Sequence, residues 1–425
     1  GRSLLMKQNQ STSIAKNMRH RLSPHARSAC APHQPAHAPN AILQGLEVAR
    51  HRKSEAPIFE NVHYEREGIY RLADNRLFFT VHPDDSRTVQ LIEALPHLFF
   101  FSSGVPESYL PFNHDFGPNH ISSVLHFVGE IKDKMDHPRL QQRKIVFYTH
   151  DDPEVITNSA FLLCCYLMLE EGFTPEAAVR RFDRILGLPI LPFRDASARE
   201  RSSFNISILD CLRGLHRAVQ LNWIDPKSFD DPFYCQEECD IIPIAPHFVA
   251  FATPRDRPDE LFPTGRPVEG HVGPLKALGV TDVVRLCEGG LYDDSVLEED
   301  FALHELDFAD GKQPPTRVVR AFLDACDAAG GAVAVHCLAG LGRTGTMIGV
   351  HMIKNSGFTA RQAIGYLRLM RPGSVISSQQ TYLQEIEGAI WKGNVPLLGR
   401  EEEEDMMSPL CSTSADKGGV TATVG

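Results

Sequence analysis

No apolar run in this 425-residue chain approaches the length of a membrane span. The densest, residues 160–169 (AFLLCCYLML), is ten residues long and fits a core helix, so no membrane association is expected. A disulfide spacing is also missing. The ten cysteines are scattered and two are adjacent (Cys164, Cys165), which points to free buried thiols in a reducing compartment. Cys235 and Cys239 lack a second pair of ligands, so they read as structural and no metal is expected. Acid is nearly absent from residues 1–53, where Glu47 stands alone against nine Lys/Arg. With −11 overall, the remainder of the chain carries −19. Such an acidic body disfavours nucleic acid as a partner; it serves solubility and suits a basic peptide. The N-terminal segment has no apolar core for a secretory signal. Residues 1–55 read as a disordered basic arm, with a transit peptide or nuclear-targeting arm as alternatives.

What is present is enough for two domains. Residues 69–81 (IYRLADNRLFFTV) read as a hairpin with Ala-Asp-Asn as the turn. Strands are expected over 98–102, 144–149, 247–252, 281–286 and 302–308. Helices are expected over 119–136, over 158–171 up to Gly172, and from Thr174-Pro175-Glu176. Residues 203–224 read as one amphipathic helix joining the halves, and Pro315 and Thr359 start further helices. Strand–loop–helix order with these lengths means an α/β layer fold. Residues 401–405, five consecutive acids, open a tail expected to be disordered.

The stretch around which the rest is organised is 332–345, AVAVHCLAGLGRTG. It reads as a buried strand over 332–335, then His336-Cys337, then a glycine-rich loop, then a helix over 347–353. Loop amides and a helix N-terminus directed into one bowl make an anion site. Leu338, Ala339, Gly340, Leu341, Gly342 and Arg343 form its wall. A cysteine at a helix N-terminus beside a guanidinium is favoured as its thiolate. Arg343 has the planar fork that matches two phosphate oxygens. The pattern implies attack of Cys337 on phosphorus and a phosphocysteine intermediate. Thr344 is placed to hydrogen-bond the sulfur, and His336 to fix the loop rather than to act as a base. The leaving oxygen needs a proton. Asp310, 27 residues upstream in FADGKQPP, is the candidate acid; Asp307 is second because it falls inside the expected strand.

Gly340-x-Gly342-x-x-Gly345 also fits a dinucleotide fingerprint, which wants an acid about 20 residues on. The chain reads IGYLR over 364–368 there, so no nucleotide cofactor is expected.

HCLAGLGRTG fits His-Cys-x5-Arg-Ser/Thr, the signature of cysteine-dependent protein phosphatases. With FADG (308–311), RPGSVISSQQ (371–380), YLPFNHDFGP (109–118), KIVFYT (144–149), TPEAA (174–178), LPFRDAS (191–197) and ILDCLRG (208–214), residues 56–393 resemble the cell-division-cycle-fourteen family of dual-specificity phosphatases. The resemblance implies two tandem phosphatase-like α/β domains: 56–200 non-catalytic, 201–225 a linker helix, 226–394 catalytic, and 395–425 an acidic tail. It implies hydrolysis of phosphotyrosine and of phosphoserine or phosphothreonine followed by proline, on protein substrates that are basic after the phosphosite. It also implies a cell-cycle or cytoskeletal role in nucleus and cytoplasm, with centrosome, spindle or cilium base as sites. An acidic groove between the domains would read the basic residues, with Glu170, Glu171, Glu176 and Asp195 as candidates. Gln379 and Gln380 would support the site, either by positioning water or as structural residues. Four residues depart from the family pattern: Leu338 replaces Lys, Ser377-Ser378 replaces Gly-Pro, and Cys287 replaces Asn. A phosphoprotein-binding scaffold is the competing reading. Cys337, Arg343, Thr344 and Asp310 together weigh for the enzyme.

Overall fold

A computed structural model describes residues 60–73, 76–197, 204–228, 240–255 and 267–391. The N-terminal arm, the Cys235/Cys239 pair, the acidic tail and the tip of the first hairpin lie outside the described residues.

The first half is built on a four-stranded sheet. Strands β2 (Tyr70–Ala73) and β3 (Leu77–His82) form the expected antiparallel hairpin. β3 then pairs in parallel with β5 (Lys144–His150), and β5 with β4 (Leu98–Phe101), giving the order β2-β3-β5-β4. The three parallel strands are nearly continuous apolar runs, as strands covered on both faces must be. The two-residue strands β1 (Val62–His63) and β6 (Ile185–Leu186) pair beside it. Helix α1 (Asp85–Ala94) precedes β4, and α2 (Ile121–Asp136) follows it. Helix α3 spans Pro153–Leu169, five residues earlier than the expected start. The cause is a cap: Asp152 Oδ1 accepts from the amides of Glu154 and Val155, and Pro153 takes the first helical position. Helix α4 (Pro175–Asp183) begins at the Thr174 cap as expected.

The helix expected over 203–224 is shorter, α5 (Ile208–Gln220). Residue 206 still pairs with Phe193 as an isolated bridge, and Ser207 and Asp210 close a capping box. Trp223 lies beyond the helix and stacks on Phe358, ring centroids 5.2 Å apart.

The second sheet has the order β10-β9-β11-β8-β7. Strands β8 (Phe248–Ala252), β9 (Val280–Arg285), β10 (Ala302–Glu305) and β11 (Ala332–Cys337) are parallel. The reading missed β7 (Ile241–Ala245), which closes one edge antiparallel to β8; its Pro243 is tolerated at an edge. Helices α6 (Glu269–Ala277), α7 (Ser295–Glu298), α8 (Thr316–Ala328), α9 (Gly342–Ser356), α10 (Ala360–Met370) and α11 (Ser378–Trp391) complete this half. β11 runs through His336 and Cys337, and α9 begins at Gly342, so the loop between them is four residues, not the longer one expected. β11 is central and wholly buried, and its carboxyl end is where an open parallel sheet forms its ligand crevice.

The halves share one apolar core that runs from Tyr70 to Leu383. Helices α5 and α10 meet through glycines. A Cβ on Gly365 would lie 2.8 Å from Cys211 Cα, and one on Gly214 would lie 2.4 Å from the Gln362 carbonyl oxygen. Among the described residues, no helix is long and apolar enough to cross a membrane.

Candidate active site

Cys337 closes β11 with 2% of its surface exposed. The four carbonyls of residues 337–340 are all hydrogen-bonded to groups outside the loop. Thr253, just past the end of β8, donates its amide to the carbonyls of Cys337 (3.2 Å) and Leu338 (3.3 Å), and its hydroxyl to that of Cys337 (3.0 Å). Arg371, just past α10, donates to the carbonyls of Ala339 (3.0 Å) and Gly340 (2.7 Å). Its guanidinium is fixed in turn by Asp240 at 2.7 Å. Carbonyls tied outward leave the amides of the same peptides facing inward, which makes an anion-binding nest at the N-terminus of α9. Gly340 turns the chain with φ +64°, and a Cβ there would stand 2.1 Å from the Phe251 carbonyl oxygen. Only glycine fits.

Arg343 lies in the first turn of α9 with its side chain 3% exposed. Its Nη1 donates to the Phe308 carbonyl at 3.0 Å, its Nε stands 3.3 Å from Asp310 Oδ1, and Glu288 Oε2 is 3.8 Å from Nη1. Burial pulls this guanidinium down. The Cys337 sulfur, Asp310, Cys287 and Glu288 outweigh it and raise its pKa above the ordinary value, so it stays charged. Thr344 Oγ1 is buried without a hydrogen-bond partner among the described residues, as a hydroxyl awaiting a sulfur or phosphate acceptor would be.

Burial, reinforced by Arg285, His271 and Arg343, pushes His336 down to about 3. Its ring is therefore neutral. Nδ1 lies 3.1 Å from Thr253 Oγ1 and Nε2 lies 2.9 Å from the Tyr292 hydroxyl. Because the Thr253 hydroxyl donates to the Cys337 carbonyl, the chain of bonds has one consistent direction: Tyr292 O–H to Nε2, Nδ1–H to Thr253, Thr253 O–H to Cys337. His336 thus holds the loop backbone. Cys287 Sγ also faces Thr253 Oγ1 at 3.3 Å, and burial raises its thiol to about 11.

Asp310 is 45% exposed at the rim of the bowl, in the loop between β10 and α8. β10 ends at Glu305, so Asp307 also lies outside the strand. The reason for ranking Asp307 second does not hold; contact with Arg343 is what separates the two, and Asp310 has it. Gln379 and Gln380 sit in the first turn of α11, a helix the reading did not foresee. Gln379 Nε2 donates to the Lys312 carbonyl at 3.3 Å, and Gln380 Nε2 to Asp195 Oδ2 at 2.9 Å.

The groove acids are placed differently from one another. Glu170 pairs with Lys132, Glu171 accepts from the Tyr166 hydroxyl at 2.9 Å, and Glu176 pairs with Arg213 at 2.8 Å. None of these bonds reaches the loop. Asp195 departs from the expectation of an open groove wall: it is 2% exposed and bonded across to the second half. The equivalent point in the first half is already occupied. β5 ends in His150, which sits between Asp85 (3.3 Å) and Glu107 (3.4 Å), and the Asp152 carboxylate caps α3 where an anion would bind.

Thr253, Tyr292, Arg371 and Glu288 were missed in the sequence. Each reaches the site from another element, and although Arg371 opens the RPGSVISSQQ stretch, nothing in that stretch marks its bonds to the loop.

Two family models match the chain. "Dual specificity protein phosphatase, N-terminal half" covers residues 71–218, and "Dual specificity phosphatase, catalytic domain" covers 299–388. The dual specificity protein phosphatase CDC14A of Mus musculus is 34% identical over 332 residues, 75% of this chain and 55% of its own length. CDC14C of Homo sapiens is 36% identical over 70% of this chain and 68% of its own. The tyrosine-protein phosphatase CDC14 of Saccharomyces cerevisiae is 34% identical over 71% and 57%. The chain therefore spans about half to two thirds of the length of these relatives. With both halves matched, and with identity extending over most of the chain, it belongs to the CDC14 family of dual-specificity protein phosphatases.

Proposed function

We propose that this chain hydrolyses phosphoserine, phosphothreonine and phosphotyrosine on proteins through a phosphocysteine. One observation carries the reading: the carbonyls of residues 337–340 are all bonded outward, so a nest of inward amides surrounds Cys337 with Arg343 on its wall and Asp310 at its rim. In the first step the Cys337 sulfur attacks phosphorus as the P–O bond breaks, and Asp310 gives its proton to the leaving oxygen. In the second, water attacks phosphorus, the Asp310 carboxylate accepts its proton, and the P–S bond breaks. Thr344 Oγ1 is available to donate to the departing sulfur. The amides and Arg343 hold the equatorial oxygens throughout.

A proline after the phosphoresidue is the finer part of the proposal. Phe112 and Ala196 of the first half pack with Leu341, Ala339 and Ile376 of the second. Phe112, Ala196 and Leu341 are buried, and the partly exposed Ala339 and Ile376 packed on them offer the apolar surface beside the phosphate loop that a small, rigid, apolar neighbour of the phosphoresidue would meet. Preference for basic residues further on rests on the −19 charge outside the N-terminal segment, together with a nuclear and cytoplasmic cell-cycle setting by family.

Turnover of a phosphoserine-proline peptide and of an aryl phosphate, with Cys337→Ser as control, tests the reading. Loss in the variant alone is expected. Equal turnover in both proteins, or none in either, overturns it. Replacing the proline by alanine, or the following lysines by glutamates, tests the finer part through kcat/KM.

A further inference from the structure

The loop that carries Asp310 is held from two sides. Upstream, Arg343 takes the Phe308 carbonyl at 3.0 Å. Downstream, the two residues after Asp310 are held by α11: Ser378 Oγ donates to the Gly311 carbonyl at 3.4 Å and Gln379 Nε2 to that of Lys312 at 3.3 Å. Gln379 is itself fixed, its Oε1 accepting from the Ile376 amide at 3.2 Å.

The turn that presents these two side chains is unusual. Val375 (φ +60°) and Ser377 (φ +53°) both occupy the left-handed region without being glycine. Such a conformation persists only where its surroundings over-determine it. Part of those surroundings is Arg368, fully buried, which donates to the carbonyls of Ser374 and Val375 and to Gln380 Oε1 at 2.8 Å. The other part belongs to the first half of the chain. Asp195 Oδ2 accepts from Gln380 Nε2 at 2.9 Å, and Oδ1 accepts from the Ser377 amide at 3.4 Å and the Ser197 amide at 2.8 Å. Asp195 is the carboxylate that bonds both the strained residue and the glutamine beside it.

We propose that Asp195 is a positioning residue for proton transfer: through the 375–380 turn and Gln379 it sets the place of the Asp310 loop, so that the non-catalytic half governs delivery of the leaving-group proton. This rests on the phosphatase reading above and deepens it. The first half then contributes to the chemical step as well as to the substrate surface.

The test is steady-state turnover of a series of aryl phosphates, from strongly to weakly acidic phenols, by the full chain and by Asp195→Ala. In the first step, which kcat/KM reports, a misplaced acid matters only where the leaving group needs its proton. On weakly acidic phenols kcat/KM is expected to fall about tenfold or more; on the most acidic the loss is expected to stay below about threefold. In an Asp310→Asn background, adding Asp195→Ala is expected to cost less than about twofold. Gln379→Met breaks the last link without touching the first half and keeps the test open should Asp195→Ala fail to fold; the same leaving-group signature is expected. Equal loss across the series, or full additivity with Asp310→Asn, overturns the positioning role while Cys337-dependent turnover still stands. Turnover that survives Cys337→Ser removes the phosphatase reading, and this inference with it.

Discussion

The carboxylate of Asp310 and the guanidinium of Arg343 face each other at 3.3 Å, the one at the rim and the other in the wall of the same bowl. On the proposed mechanism a phosphate ester takes the guanidinium fork and the Asp310 carboxyl faces the ester oxygen. Asp310→Asn is expected to lower kcat/KM by about 10²–10⁴ on a phosphoserine peptide and far less on a phosphate of an acidic phenol. Steady-state kinetics on the two substrates measures the difference; equal losses would remove Asp310 from the acid role.

Arg343→Lys keeps a charge but loses the fork and the bond to Phe308. Both kcat and KM for an aryl phosphate are expected to worsen, with kcat/KM down by about 10² or more. A loss under about threefold would show that the amide nest alone carries phosphate binding.

Thr253→Val keeps the shape of the side chain and removes the hydroxyl that joins His336 to the Cys337 carbonyl. A loss of about 1–3 kcal/mol in denaturant-monitored stability is expected. Inhibition by inorganic phosphate should weaken about tenfold, the equivalent of 1.4 kcal/mol at the loop. Unchanged inhibition would mean that the Thr253 and Arg371 main-chain bonds are sufficient.

His336 supplies a pH dependence of known sign. Its folded pKa is depressed to about 3, below that of an unfolded histidine, so the unfolded chain binds the proton first. The stabilisation is complete above about pH 6.5 and declines as pH falls through the interval down to about 3, at up to about 1.4 kcal/mol per pH unit. His351, lowered to about 4, acts in the same direction. Urea melts from pH 7 to pH 5 should show a steeper decline for the native chain than for His336→Asn. Parallel curves would contradict the assignment.

Much of the site was legible because its signals are local. The glycines, Cys337 and Arg343 lie in one short stretch, and FADG announces a turn after a strand. Helix starts at Thr174 and Thr359 follow from caps visible in the sequence. Asp152-Pro153 was an equally plain cap, and placing the α3 start at residue 158 passed over it. β7 was hidden by its proline. Long-range placement was beyond the sequence. Thr253 and Arg371 orient the loop from 84 and 31 residues away in sequence, and nothing near either residue marks that duty. Asp195 read as a candidate groove acid, since carboxylates are rarely buried unless paired; its burial goes with its bonds to Ser377 and Gln380 of the second half.

The glycine contact between α5 and α10 bears on how this chain can be divided. Sequence models cut it into an N-terminal half and a catalytic half, yet Gly214 and Gly365 let two backbones touch at that boundary, inside one uninterrupted core. A fragment holding only the catalytic residues would expose the apolar faces that α5 covers and lose Asp195. The shared core therefore makes a packing unit larger than the stretch that holds the candidate catalytic residues. The first half, whose Asp152 caps α3 just past the end of β5, forms the other side of its partner's interior.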